Sequence, residues 1–322
     1  MRIVFLGTSS FAVPTLEAVA GSAHAVALVV TQPDRPAGRG KHLAAPPVKD
    51  AAARIGLTVF QPEKIGTVEA RRRIGEARPD AILTASYGQL LGPRLLALPP
   101  KGCWNVHASL LPRHRGASPI HHAILAGDPR TGISLFRMVP AMDAGPILLQ
   151  EPLDILPEET AGELEERLAR LGAACALAAL DRLAADAPPA VTEQDASRAT
   201  HSPILRKEDG RLDFARSGRE VADRVRGLQP WPGTFAFLAR PDHPGRMRLR
   251  IARARAATAA GAPAGLVLEA DKEAIRVACG RASVDFLALQ PENRNVLRPQ
   301  ELINGFGVQA GDRFHSDETD GG

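Results

Sequence analysis

The sequence predicts an α/β domain built on a mostly parallel sheet, followed by a smaller β-rich barrel domain. The chain has 322 residues, and at about 100–200 residues per domain this length favours two domains. In the first half, short apolar runs alternate with helical segments, which is typical of parallel strands joined by crossover helices. In the second half, short strands follow one another with Gly, Asp or Pro between them, and this pattern favours a small barrel.

The first domain is predicted from the apolar periodicity of its segments. The expected strands are short apolar runs: Arg2–Leu6, Ala25–Val30, Leu57–Phe60, Ala81–Ala85, Cys103–Val106 and Gly132–Met138. The expected helices have apolar residues at helical spacing or proline in the first turn: Phe11–Ala20, Glu63–Ala77, Pro119–Ala126 and Thr160–Ala185. A long polar loop, Thr31–Pro47, follows the second strand. Parallel sheets of this type bind ligands outside the carboxyl ends of their strands.

The boundary between the domains is predicted after the long helix. Two prolines interrupt that helix within Ala187–Ala190, and the residues of Val191–Ser202 are mostly polar. We therefore expect a first domain at 1–189, a linker at 190–206 and a second domain at 207–322. The strands expected in the second domain are Arg248–Ala256, Gly265–Leu268, Ile275–Ala278 and Ser283–Ala288.

Composition and charge exclude several classes of protein. Hydrophobic residues make up 44% and charged residues 24% of the chain, with a net charge of +4, which excludes a disordered chain or a coiled coil. No apolar run approaches the roughly 18–20 residues of a membrane span, and the first residues lack the pattern of a secretory signal. The three cysteines lie far apart without metal-ligand spacing, so we expect no disulfide, no metal site and a cytoplasmic location.

Two familiar cofactor motifs are missing. Gly7 stands where a dinucleotide-binding GxGxxG would begin, but Ser9 and Ala12 occupy the later glycine positions, so an NAD site is disfavoured. The segment Gly38–Lys41 has no strand before it and lacks the spacing of a phosphate-binding loop.

The strongest candidate site lies in the segment Asn105–Pro112. Asn105 and His107 stand two positions apart at the end of a predicted strand, so both side chains point to one face. Asp143 follows another predicted strand. These side chains suit chemistry at a carbonyl, because an amide can donate to an oxyanion and a histidine beside a carboxylate can move a proton. A structural histidine and an ordinary aspartate turn are the alternatives.

The segment Asn105–Pro112, continued by Arg113–Pro119, resembles the signature of the folate-dependent formyltransferases, and Asp143 matches an aspartate of that family. Further segments resemble the members of the family that act on methionyl-tRNA. They extend over almost the whole chain in the same order: Gly7–Pro14, Gln32–Lys41, Pro46–Lys49, Ser86–Gly88, Lys207–Phe214 and Pro230–Pro232. The sequence departs from the family pattern at four positions, which affect the expected shape of the folate pocket: Ser9, Ser10, His114 and Ala144.

The resemblance implies a Rossmann-like N-terminal domain and an OB-like C-terminal domain. It implies transfer of a formyl group from 10-formyltetrahydrofolate to the α-amino group of methionyl initiator tRNA, without a metal. It also implies that Asn105, His107 and Asp143 are catalytic, and we expect Asp143 to keep His107 protonated. The expected folate-binding residues are Tyr87, Gly88, Ser109, Leu110, Leu111 and Pro112.

The lack of an obvious nucleophile favours direct transfer. No serine or cysteine stands in a nucleophile elbow, so a covalent enzyme intermediate is less attractive than transfer between two bound substrates. A monomer is the default expectation, because the sequence offers no argument for a symmetric interface.

Two basic segments are candidate tRNA surfaces. The loop Thr31–Lys49 is long for a strand–helix connection, whose usual length is about 2–6 residues, and the resemblance implies contact with the tRNA acceptor stem. The segment Arg240–Arg255 holds six arginines and one acid. Long basic side chains can bind phosphate or stack on unpaired bases. The candidate tRNA-binding residues are Arg35, Arg39, Lys41, Lys207, Arg248 and Arg250. A solvated insertion and an ordinary arginine-rich surface are the alternatives.

Two other functions fit parts of the sequence. A formyltransferase that acts on a small amine would share the candidate catalytic residues, but it would need neither the Gln32–Lys41 loop nor the basic C-terminal domain. A non-catalytic RNA-binding protein on the same scaffold would not need Asn105, His107 and Asp143 together.

Overall fold

The computed structural model describes residues 1–37, 42–185, 187, 189–240, 243–258 and 261–317. The chain forms two compact units. The first unit contains Met1–Pro119, Arg130–Asp154 and Glu165–Pro203. The second contains Ile120–Pro129, Ile155–Leu164 and the residues from Ile204 onward. Two short segments from the first half of the chain therefore belong with the C-terminal residues.

The chain up to residue 203 alternates strands and helices. The strands are β1 (Arg2–Gly7), β2 (Ala25–Val30), β3 (Arg35–Ala37), β4 (His42–Ala44), β5 (Val59–Phe60), β6 (Ala81–Ala85), β7 (Cys103–His107), β8 (Arg115–Gly116), β9 (Arg130–Arg137), β10 (Ile147–Asp154) and β11 (His201–Ser202). The helices are α1 (Val13–Ala20), α2 (Pro47–Arg54), α3 (Val68–Glu76), α4 (Pro93–Leu96), α5 (Pro119–Leu125) and α6 (Ala161–Ala184).

The first unit is organised around a seven-stranded sheet in the order β10-β9-β7-β6-β1-β2-β5. The pairings among β7, β6, β1, β2 and β5 are parallel, whereas β9 and β10 are antiparallel additions. Strands β1 and β6 are apolar along almost their whole length and are buried, as expected for parallel strands covered on both faces. This arrangement brings the carboxyl ends of β1, β6 and β7 to the same edge of the sheet.

The second unit is built on an antiparallel barrel. Its strands are β12 (Thr234–Arg240), β13 (His243–Ala257), β14 (Val267–Ala270), β15 (Ile275–Ala278), β16 (Ser283–Pro291) and β17 (Arg313–His315), and its helices are α7 (Gly218–Gly227) and α8 (Pro299–Phe306). The strand order is β14-β15-β16-β13-β12-β17. The Val267 N–H donates to the Asp312 carbonyl at 2.8 Å and the Phe314 N–H to the Gly265 carbonyl at 2.7 Å. These bonds join the two edge strands and close the sheet.

The fold class predicted from the sequence is confirmed, and three strands agree residue for residue: Ala25–Val30, Ala81–Ala85 and Ile275–Ala278. Several elements were not predicted from the sequence, among them the strands β10 and β12 and the helices α2, α4, α7 and α8. Strand β10 contains Pro152 and has an exposed second half, which is typical of an edge strand. Helix α7 is rich in charge and buries only part of its surface. Among the described residues, no helix is long and apolar enough to cross a membrane.

Candidate active site

The candidate site lies where the strand order of the parallel sheet reverses. From β1 the chain continues to β2 and β5 on one side, and later to β6 and β7 on the other. Ligands of such sheets bind at this reversal, outside the carboxyl ends of the strands. Gly7 ends β1 here, and an added Cβ would lie 2.7 Å from Cε1 of Phe5 and 2.9 Å from Cβ of Ala12. The turn that leaves β1 therefore needs glycine.

His107 ends β7 and is buried, with 5% of its surface exposed. Its Nε2 lies 3.0 Å from the carbonyl oxygen of His114. Because a carbonyl only accepts, this contact places a hydrogen on Nε2. The other ring nitrogen, Nδ1, lies 3.8 Å from Oδ2 of Asp143, which is too long for a hydrogen bond. The ring of Phe136 packs edge-on against His107, with 6.2 Å between the ring centroids.

The environment of His107 favours the neutral imidazole. Burial lowers the pKa of His107, and this effect is the largest one. The Asp143 carboxylate and the hydrogen bond to the His114 carbonyl raise that pKa, while the charge of the His114 ring lowers it. The net direction is downward. This direction runs against the expectation that Asp143 keeps the resting His107 protonated, because burial disfavours the charged ring and the carboxylate stands too far away for a hydrogen bond.

Asp143 is carried by a loop after an antiparallel strand, whereas the sequence predicted a position after a parallel strand. Strand β9 runs antiparallel to β7, so Asp143 lies on the loop that follows β9 rather than at the end of a parallel strand. Its Oδ2 accepts a hydrogen bond of 2.7 Å from the Gly116 N–H. Its backbone φ is +50°, a left-handed conformation that costs an L-residue roughly 1 kcal/mol. Neighbouring contacts must therefore hold this turn in place.

Asn105 shares a face of β7 with His107 and is oriented by β6. The Thr84 hydroxyl donates to Oδ1 of Asn105 at 2.7 Å. This bond turns the amide oxygen toward Thr84 and leaves the two N–H donors of the amide directed elsewhere. Among the described residues, the Asn105 amide nitrogen donates no hydrogen bond. The group can therefore donate to a bound substrate.

The expected folate residues after β7 divide into two kinds. Ser109 and Leu111 are buried, and the Ser109 hydroxyl donates to the Arg113 carbonyl at 2.6 Å. Leu110 and Pro112 are partly exposed. The first pair therefore supports the loop from within, whereas the second pair can contact a ligand.

The expected folate residues after β6 also differ from each other. The Tyr87 ring lies in the apolar core beside α3 and α4, and burial raises the pKa of its hydroxyl to about 12. Its carbonyl accepts hydrogen bonds from Thr8 Oγ1 at 2.8 Å and Gln32 Nε2 at 3.2 Å. Gly88 is exposed and has a φ of +88°. This segment can therefore offer its backbone, but not the Tyr87 ring, to a ligand.

The described part of the Thr31–Lys49 loop has most of its charge paired. Arg35 contacts Glu63 at 2.9 Å, and Lys49 contacts Asp34 at 2.6 Å. Arg39 and Lys41 lie outside the described residues. The loop also contains the short paired strands β3 and β4, which the sequence reading treated as irregular.

The arginines of β13 also have partners. Arg248 stacks over the Phe235 ring at 4.2 Å from its centroid and stands 3.5 Å from Glu292. Arg250 Nη2 donates to Oε1 of Gln229 at 3.1 Å and to the Pro230 carbonyl at 2.9 Å. Glu292 therefore offsets the charge of Arg248, whereas the partners of Arg250 are uncharged and leave its charge in place. Lys207 is exposed in a short 3-10 helix.

Several residues that support the site escaped the sequence reading. Thr84 orients Asn105, and three residues of the predicted linker bond to the loops that carry His114 and Asp143: Gln194, Thr200 and Ser202. Their residue types carry no motif, so only the pairing of strands reveals them. Among the described residues, no group of His, Cys, Asp and Glu could hold a metal ion.

Comparison with known families matches both parts of the chain. The family described as "Formyl transferase" matches residues 1–180, and "Formyl transferase, C-terminal domain" matches residues 204–307. A protein from Solibacter usitatus named methionyl-tRNA formyltransferase is 46% identical over 311 residues, which cover 95% of this chain and 96% of the relative. A protein of the same name from Sorangium cellulosum is 43% identical, with 97% and 98% covered.

Solved structures resemble the fold at low identity. An N-formyltransferase from Helicobacter canadensis, in complex with folinic acid and dTDP-3-aminofucose, gives a TM-score of 0.65 at 13% identity and covers 90% of this chain and 99% of its own. HypX from Aquifex aeolicus, in complex with tetrahydrofolic acid, gives 0.58 at 15% identity and covers 95% of this chain and 47% of its own. At these identities the likeness concerns the fold alone.

The lowered pKa of His107 predicts a pH dependence of stability. As the pH falls from about 8 to about 5, the unfolded chain binds a proton at this residue before the folded chain does, so stability is lost. We expect the unfolding free energy of the His107→Gln variant to decline less steeply over this range, as measured by urea denaturation at a series of pH values. A decline as steep as that of the wild type would contradict the assignment.

Proposed function

The chain belongs to the formyl transferase family, and we propose that it transfers a formyl group from 10-formyltetrahydrofolate to the α-amino group of methionyl initiator tRNA, which yields N-formylmethionyl-tRNA for translation initiation. The observation that carries this proposal is the similarity, over nearly the whole chain, to relatives named methionyl-tRNA formyltransferase. The arrangement of Asn105, His107 and Asp143 at the sheet edge supports it, because formyl transfer needs an oxyanion donor and a proton carrier.

Asn105 and His107 suit the changes in charge that accompany formyl transfer. When the acceptor amine attacks the formyl carbon, the formyl oxygen becomes negatively charged. The free N–H of the Asn105 amide donates to that oxygen. The lone pair of His107 Nδ1 accepts the proton that the amine loses, while the Nε2 hydrogen stays bonded to the His114 carbonyl. His107 therefore acts as a proton carrier and not as a nucleophile.

Asp143 acts once His107 has been charged. The Asp143 carboxylate faces Nδ1 and stabilises the imidazolium that forms there. The imidazolium then returns its proton to the nitrogen of the departing tetrahydrofolate. The formyl group passes directly between the two substrates, and no covalent bond to the enzyme forms. An amide donor and a proton carrier suffice for this route, so we propose no metal.

We propose that the formyl donor contacts the exposed parts of Leu110 and Pro112 and the backbone at Tyr87 and Gly88. Ser109 and Leu111 belong to the same site as its support, since both are buried. Folate ligands in the structures of relatives with this fold support a folate donor.

We propose a catalytic domain at 1–189, a linker at 190–206 whose residues up to Pro203 pack within the first unit, and a tRNA-binding domain at 207–322. Residues from both domains are assigned to tRNA binding: Arg35, Arg39, Lys41, Lys207, Arg248 and Arg250. Charged initiator tRNA is a substrate of the translation machinery, so we propose a cytoplasmic location. We also propose that the protein acts as a monomer.

The choice of acceptor is the direct test of this function. The purified protein is incubated with formyl-labelled 10-formyltetrahydrofolate and charged initiator tRNA, and label in the precipitated tRNA is counted. We expect transfer to the charged tRNA and none to free methionine. Efficient transfer to an amino-sugar nucleotide would instead favour a small-amine formyltransferase. Binding of tRNA without transfer would favour a non-catalytic protein.

The role of His107 predicts a large loss of rate on substitution. His107→Ala should lower kcat by about 10²–10⁴-fold, which is the usual contribution of a positioned proton carrier. The measurement is kcat with saturating formyl donor and tRNA. His24→Ala is a matched control, since His24 is also buried but lies at the amino end of β2, and it should retain kcat. A kcat near that of the wild type in His107→Ala would refute the assignment.

Arg39 is the preferred tRNA contact of the Thr31–Lys49 loop. Arg39→Ala should raise KM for charged tRNA by about tenfold, the effect of losing roughly 1–2 kcal/mol of contact, with KM for the formyl donor unchanged. Arg72→Ala serves as the control, because Arg72 is an exposed arginine of α3 paired with Glu76. An unchanged KM for charged tRNA in Arg39→Ala would show that the loop does not bind tRNA through Arg39.

A further inference from the structure

Residues 191–203, here called the clamp segment, pack against the catalytic loops of the first unit. Thr192 exchanges two backbone hydrogen bonds of 2.8 Å with Ile147. Further along, β11 pairs in parallel with β8. An added Cβ at Gly116 would lie 2.7 Å from the Ser202 carbonyl oxygen, so the two backbones approach closely. The clamp segment is therefore part of the first unit's structure.

The far end of the clamp segment holds the loop that carries His114. The His114 N–H donates to Oγ1 of Thr200 at 2.8 Å. The Arg115 N–H donates to the Thr200 carbonyl at 2.9 Å. The Ser202 hydroxyl lies 3.1 Å from the His114 carbonyl oxygen. These contacts fix the carbonyl that accepts the Nε2 hydrogen of His107.

The near end of the clamp segment holds the turn that carries Asp143. The Gln194 amide nitrogen donates to the carbonyl of Asp143 at 2.9 Å and to that of Gly145 at 2.7 Å. The Gln194 amide oxygen accepts two bonds from the Arg115 guanidinium, at 3.1 Å from Nε and 2.8 Å from Nη2. Gln194 thus uses both ends of its amide to join the Asp143 turn to β8.

These contacts form a closed ring around the catalytic carboxylate. Asp143 bonds to Gly116 through its side chain, Gly116 adjoins Arg115, Arg115 bonds to Gln194, and Gln194 bonds back to the Asp143 carbonyl. Asp143 has a left-handed backbone, and such a conformation persists when its surroundings fix it. The ring supplies that constraint from two sides.

We propose that Gln194 is a positioning residue for catalysis, which sets the distance and orientation of the Asp143 carboxylate toward His107. Thr200 and Ser202 of the same segment set the position of the His114 carbonyl, on the opposite side of the His107 imidazole. The proposal rests on the proposed function for its reaction. Gln194 touches neither substrate in this account, and it acts through Asp143.

The expected effect is on kcat rather than on substrate binding. Gln194→Ala should lower kcat by about tenfold or more, since small misplacements of a catalytic group cost up to roughly 100-fold, with both KM values within about twofold of the wild type. Gln194→Met keeps the length of the side chain without its hydrogen bonds and should lose a similar factor. Gln290→Ala is the matched control, because Gln290 is a half-buried amide bonded to the Arg294 carbonyl in the second unit.

The pH profile separates positioning from simple destabilisation. The titratable groups that face His107 are Asp143 and His114. Asp143 favours the protonated ring, so a carboxylate that is no longer held close lets His107 lose its proton more readily. The acidic limb of the kcat profile should therefore move to lower pH in Gln194→Ala and Gln194→Met. A destabilised but correctly positioned site would lower the melting temperature without moving this limb.

Titration of the His107 ring by NMR tests the same shift in the protonation of His107 without substrates. In isotope-labelled protein, with the signal assigned by comparison with His107→Gln, the ring should titrate at lower pH in Gln194→Ala than in the wild type.

Unchanged kcat together with an unchanged titration would overturn the proposal. A raised KM for tRNA at unchanged kcat would also overturn it, since the segment would then bind substrate. A wild type that formylates no acceptor would refute the proposed function, whereas the titration would still test the role of Gln194.

Discussion

The burial of His107 between two protein partners is the constraint on which the rest of the site depends. A histidine at a strand end of an open sheet is normally close to water. Here the ring is almost fully covered, with a carbonyl at one nitrogen and a carboxylate near the other. Burial favours the neutral ring, and the nearby carboxylate limits the cost of charging it. In the proposed reaction, His107 therefore takes up a proton from the amine rather than holding one beforehand.

The sheet and its supports explain how this environment is maintained. Strand β7 supplies Asn105 and His107 on one face, and Thr84 on β6 orients the amide of Asn105. The remaining partners come from loops that have no regular structure of their own to fix them. The clamp segment provides that fixation by pairing with β8 and with the Asp143 turn. The residues proposed to carry the chemistry are thus contacted by a segment whose composition predicts only a linker.

The parallel core and the placement of Asn105 and His107 at the end of β7 could be predicted from the sequence because both leave local signals. Apolar runs bounded by turn residues predicted the bounds of β2, β6 and β15 correctly, because these strands are buried for the apolar character of their own side chains. Asn105 and His107 could be placed on one face by strand periodicity alone. The direction in which the pKa of His107 is shifted could not be predicted, because it depends on burial and on the 3.8 Å between Nδ1 and the Asp143 carboxylate, which only the folded chain fixes.

Other contacts could not be predicted for the same physical reason. The basic residues of β13 are visible in the sequence, but the acids that pair with several of them are distant in sequence: Glu292 with Arg248, Glu163 with Arg253, and Asp285 with Arg255. Gln194 gives no signal in sequence, because a lone glutamine in a polar stretch usually faces water. Its proposed positioning role rests on four hydrogen bonds to residues about fifty to eighty positions earlier.

The central claim is that the resting His107 is a neutral imidazole with its hydrogen on Nε2. Nitrogen-15 NMR of labelled protein near neutral pH measures this directly, because protonated and unprotonated ring nitrogens resonate far apart. We predict one protonated nitrogen, Nε2, and one unprotonated nitrogen, Nδ1, for His107 in the substrate-free protein. Two protonated nitrogens at the same pH would show a resting imidazolium held by Asp143 and would contradict this account.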